Sequence, residues 1–125
     1  MTTSFEISDK FYSILNVSSL TDEIQVYLDR RPTDLQVESV TVIPLTNQID
    51  NIQNGYININ IHAKDNSDGT PNSTRLQALT ALVRAALDDY ASGATYFAFR
   101  VTNQELLSDE RGWSYVNLRI EFFTE

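Results

Sequence analysis

The sequence predicts an α+β domain, a mostly antiparallel five-stranded sheet with one long helix and a short N-terminal helix packed on one face. Three observations carry that expectation. Residues 55–63 alternate with a period of two, placing Ile57, Ile59, Ile61 and Ala63 on one side and Tyr56, Asn58, Asn60 and His62 on the other. Residues 72–91 repeat their apolar side chains at helical spacing instead. The order helix, strand, strand, strand, long helix, strand, strand lacks the strand–helix alternation that builds parallel sheets.

The elements follow in chain order. Phe11, Ile14 and Leu15 stand at i, i+3 and i+4 behind Ser8 or Asp9 as an N-cap, so residues 9–15 read as a two-turn amphipathic helix. In Thr21-Asp22-Glu23, Asp22 and Glu23 supply first-turn acids to a further turn ending near Ile24. Residues 25–30 alternate Val26 and Leu28 against Tyr27 and Asp29, and Arg31-Pro32 stops the strand. Residues 37–45 are β-branched and alternating, but Pro44 has no N–H to donate, so the strand ends there or lies at an edge. A polar loop is expected over 46–54, and the turn formers of 64–71 make a second. Leu76, Leu79, Leu82, Val83, Ala86, Leu87 and Tyr90 form the stripe of the long helix, capped by Thr70 with Pro71 or by Asn72 and closed at Gly93. Strands over 95–102 and 112–124 finish the sheet, the second alternating Val116, Leu118, Ile120 and Phe122 with Tyr115, Asn117, Arg119 and Glu121. The segment between them, 103–111, reads as a loop in which Leu106 and Leu107 look exposed.

Composition narrows the function. At 125 residues the chain fits one domain, 1–125, large enough to fold without staples. The absence of cysteine removes disulfides, thiolate metal sites and cysteine nucleophiles together. Nine basic against 17 acidic residues, a net charge of −8, argue against a protein whose task is to grip nucleic-acid backbone. The N-terminus carries Glu6 and Asp9 where a signal peptide would be basic and then apolar, and no apolar run reaches the ~20 residues of a membrane span. The expectation is a soluble, unprocessed cytoplasmic chain.

Catalytic chemistry finds no foothold. A Ser-His-Asp site would have to use His62, the sole histidine, which shares a strand face with Asn58 and Asn60 and follows no G-x-S-x-G elbow. Lys64-Asp-Asn-Ser-Asp-Gly69 resembles a cation loop only until Gly69 is set at the EF-hand turn position, which puts Lys64 and Arg75 at ligand sites. Glycines 55, 69, 93 and 112 are too dispersed for a phosphate cradle. The expectation is no catalytic residue, no metal ligand and no cofactor. The candidate sites are protein contacts: Leu106 and Leu107 as an anchor, with Asn58, Asn60 and His62 on the amide-rich face.

Gly55-Tyr-Ile-Asn-Ile-Asn-Ile-His-Ala-Lys-Asp65, the Asp-Gly-Thr-Pro turn, the Arg75-Leu76 helix start and the closing Tyr115-Val-Asn-Leu-Arg-Ile-Glu-Phe-Phe-Thr-Glu125 together resemble the tail-terminator (tail-completion) proteins of long-tailed bacteriophages. The resemblance covers roughly residues 9–125 in order of elements. It implies a structural virion protein of the tail and neck, assembled in the host cytoplasm. Such a protein forms a hexameric ring on the tail tube, stops tube growth and offers the surface that joins the head. The implied partners are further copies of the chain, the tail tube protein and a head-completion or neck protein, with DNA passing through the ring unbound and no membrane involved. The resemblance transfers no individual functional residue. Another neck or head–tail connector component, or an unrelated non-enzymatic binding protein, remains as the alternative.

Overall fold

The computed structural model describes residues 4–22, 24–28, 38–44, 54–93, 97–109 and 112–124. The elements run α1 (Ser4–Leu15), α2 (Ser18–Thr21), β1 (Gln25–Leu28), β2 (Ser39–Pro44), β3 (Asn54–Lys64), α3 (Ser73–Gly93), β4 (Phe97–Asp109) and β5 (Trp113–Thr124). The strands form one sheet in the order β1-β2-β3-β5-β4. β1 and β2 pair in parallel, while β2–β3, β3–β5 and β4–β5 are antiparallel. The expected class holds: an α+β fold with a mostly antiparallel sheet, one long helix and a short N-terminal one.

The period-two reading gives the register. Ile57, Ile59 and Ile61 stand beside Ile120, Leu118 and Val116 across β3–β5, and Ile59 and Ile61 beside Val42 and Val40 across β2–β3. These residues are buried together with Phe11, Leu15, Leu20, Leu76, Leu79, Val83 and Leu87, so the core lies between one sheet face and the helices. Phe11 of α1 meets Phe99 of β4 edge-on, ring centroids 5.2 Å apart at 70°, and Phe122 of β5 at 6.4 Å. One aromatic from the first helix therefore ties the two last strands to the start of the chain.

Helix ends follow local chemistry. Asn72 caps α3, its Oδ1 accepting from the Arg75 N–H at 3.2 Å and its carbonyl from Leu76 N–H at 3.0 Å, so of the candidate caps it is Asn72 that serves. Arg75 then reaches back to Glu38 beside β2, Nε at 2.9 Å and Nη2 at 2.9 Å, pinning the helix start to the sheet. α1 starts at Ser4, a turn or more before the expected cap at Ser8 or Asp9, both of which lie inside the helix. The further turn begins earlier, as α2 at Ser18–Thr21 with the Leu20 and Thr21 N–H groups donating to the Val17 carbonyl, and ends where expected, the Ile24 N–H donating to the Leu20 carbonyl at 3.0 Å.

Two glycines are used for their backbone. Gly69, at φ +85°, closes a turn in which its N–H donates to the Asn66 carbonyl at 2.9 Å. Within that turn the Thr70 hydroxyl and N–H donate to Asp68 Oδ1 at 2.6 and 3.1 Å and hold the Asp68 carboxyl below its ordinary pKa. Gly112, at φ +83°, leads into β5, and its carbonyl accepts from the Asp65 N–H at 2.9 Å, which fastens the 64–71 turn to the β4–β5 end of the sheet.

Two expectations need correction or fall outside the described residues. The segment expected as a loop over 103–111 is strand as far as Asp109: β4 continues through a register shift between Val101 and Asn103 and pairs with β5 to Asp109↔Trp113. Thr102 is the extra residue of a β-bulge. It resets the alternation, so a stretch with no clean period of its own still finds a partner for each residue. The expected loop over 46–54 lies outside the described residues, except Asn54, which opens β3. Pro44 closes the described part of β2, an interior strand of the sheet.

Candidate protein-interaction site

The register fixes where each predicted contact residue stands. Leu106 sits opposite Val116 and therefore on the helix side of the sheet; Leu107 sits opposite Tyr115 and therefore on the other side. The two do not form one anchor. Leu106 is 48% exposed, whereas Leu107 is half-buried. Asn58, Asn60 and His62 share the outer face with Leu107, each half-buried.

The outer face divides in two. At one end it is closed: Ser39 and Thr41 of β2 are buried, His62 lies against the Tyr115 ring at 5.3 Å, and Thr41 Oγ1 stands 3.4 Å from His62 Nε2. Next along the strands, Asn117 Nδ2 donates to Asn60 Oδ1 at 2.7 Å, so these amides are spent on each other across the ladder. A uniformly wet, amide-rich face is therefore not what the chain builds. His62 belongs to this packed polar end.

At the other end the face opens onto aromatics that the sequence reading did not single out. Tyr56 and Phe123 are 42% and 43% exposed, and Tyr56 stands opposite Glu121, with Phe123 two residues further along β5 on the same face. Glu121 accepts from Arg100 Nε at 3.0 Å and from Tyr56 Oη at 3.3 Å, while the Arg119 guanidinium lies 5.8 Å from the Tyr56 ring centre. Tyr, Phe and Arg in one exposed cluster is the composition of a protein-contact centre. The signal was present in the outward parity of Tyr56, but a lone outward tyrosine does not distinguish itself from ordinary surface.

On the helix side, α3 leaves β4 incompletely covered. A cleft of about 290 Å³ runs between them, floored by Leu76 and Val116 and walled by Thr80, Gln104 and Leu106. Arg84 crosses the seam to Gln104, Nη1 to Oε1 at 3.0 Å. A second cleft of about 370 Å³ lies between α1 and α3, lined by Ile14, Val17, Ala86 and Tyr90, with Lys10 5.1 Å from the Tyr90 ring centre. These are shallow apolar surfaces suited to side chains of another protein. Among the described residues no three His, Asp or Glu side chains converge on one point, and no helix is long and apolar enough to cross a membrane.

No protein-family model matches the chain, and no curated protein matches it in sequence.

Proposed function

We propose that this chain is a structural virion protein, a tail terminator that caps the tail tube as a six-copy ring, ends tube polymerisation and presents the surface that joins the head. The single observation that carries the reading is the long edge strand β4 with exposed Leu106 beside an apolar cleft, together with the resemblance of 55–65 and 115–125 to that family. Extended edges and half-covered apolar seams are surfaces that protein partners complete. The neighbours would be further copies of the chain, the tail tube protein and a head-completion or neck protein. The charge of −8 per copy favours a conduit that passes DNA without holding it.

The test is a tube-growth assay. Purified chain added to polymerising tail tube protein from the same source should stop elongation and appear as density at tube ends in electron micrographs. Tubes that grow to the same length with and without the chain would rule the proposal out.

A further inference from the structure

β1 and β4 stand at the two ends of the strand order. Among the described residues β4 pairs with β5 alone and β1 with β2 alone, so no described strand takes up the N–H and C=O groups on the outer side of either. The usual protections are thin. The 103–109 half of β4 has no proline or lysine, and its charges are Glu105 and Asp109; β1 is Gln-Val-Tyr-Leu and carries no charge. Both edges also leave apolar surface incompletely covered on the helix side, Leu106 on β4 and the half-buried Leu28 on β1.

We infer that the 103–109 edge of β4 in one copy pairs with the β1 edge of a second copy, joining the sheets head to tail. Strand direction supports the match. β4 runs antiparallel to β5, hence parallel to β3, antiparallel to β2 and so antiparallel to β1. A rotation about an axis along the strands preserves those directions, so β4 meets the next copy's β1 antiparallel, with helix sides on the same side. Leu106 then falls in the layer of Val26 and Leu28, where a new neighbour extends the core, and the cleft beside Leu106 receives a side chain of the incoming strand.

Charge selects this pairing over the two-fold alternative. Antiparallel pairing of β4 with a second β4 brings the Glu105 carboxylates of both copies onto one face, since Glu105 lies opposite Asn117 on the outer side of the sheet. β1 offers no such repulsion. A head-to-tail contact either closes a ring or extends without limit. That it closes at six rests on the function proposed above; the pairing itself does not.

The test exploits a chain without cysteine. Gln25 and Glu105 are exposed outer-face residues, so Gln25→Cys and Glu105→Cys leave the core intact. With a short bis-maleimide, on concentrated protein and on tube-bound protein, the double variant should give a ladder of covalent multimers, and an equimolar mixture of the single variants a covalent dimer. Each single variant alone should stay monomeric on a denaturing gel. Leu106→Lys in the double variant should weaken the ladder about tenfold or more, as loss of an interface anchor does. Dimers from Glu105→Cys alone or Gln25→Cys alone would replace the proposal with a two-fold pairing. Absence of any cross-link under both conditions would overturn it outright. A ladder from protein that fails to stop tube growth would leave the pairing standing and remove the terminator role, whereas tube capping without a ladder would do the reverse.

Discussion

Leu106 and Leu107 are neighbours in sequence and opposites in the sheet, and a single substitution at each separates contact from stability. Leu106→Ser removes a half-exposed side chain and should change unfolding free energy by no more than about 0.5 kcal/mol. Leu107→Ser removes a half-buried residue opposite Tyr115 and should cost about 1 kcal/mol. Urea unfolding of the two variants checks the split; association should fall for Leu106→Ser. At Asp68 the prediction concerns pH. Its folded carboxyl titrates below the unfolded one because the Thr70 hydroxyl and then the Thr70 N–H donate to it. Whatever this bond adds to the turn is therefore present above the unfolded pKa and is lost as pH falls through the folded one. Carbon-detected NMR titration should place Asp68 below the ordinary aspartate value, and Thr70→Ala should raise it; an unmoved value would contradict the assignment.

At the scale of elements, legibility tracked whether a segment owned its signal. β3 and β5 alternate cleanly and were readable residue by residue, and α3 carried both its stripe and its Asn72 cap. The 103–109 half of β4 did not, because Asn-Gln-Glu has weak strand propensity and the bulge at Thr102 breaks the period. Its conformation is set by hairpin pairing with β5, from Asp109↔Trp113 back to Asn103↔Arg119, which its own residues do not announce by alternation. α1 shows a milder version: Phe11, Ile14 and Leu15 mark the buried face, and Ile7 four residues before Phe11 extends the same helical spacing, but Ser8 and Asp9 look like caps and hide a helix that starts at Ser4. Phe11 is buried with Ile14 and Leu15 and carries the aromatic contacts of α1 with Phe99 and Phe122. Phe11→Ala should cost about 3–5 kcal/mol and loosen α1 before the strands, seen as early hydrogen exchange in α1.

For the whole molecule, the division of the outer face could not be foreseen from strand parity. Ser39 and Thr41 are outward by alternation and yet buried, because coverage depends on what lies above a sheet and alternation reports only which side a residue takes. The candidate site was legible in part: Leu106 was identified correctly as exposed, while Tyr56, Phe123 and the arginines beside them emerge only when β3, β4 and β5 are set side by side. In the proposed function these surfaces serve assembly, with an edge strand at each end of the strand order and apolar residues along the seams. The most direct measurement is native mass spectrometry of the chain at rising concentration and after release from capped tubes. The account predicts a species of six times the 14.2 kDa chain, with no stable two-copy end state. A dimer that persists at all concentrations, and is the only form released from tubes, would contradict it.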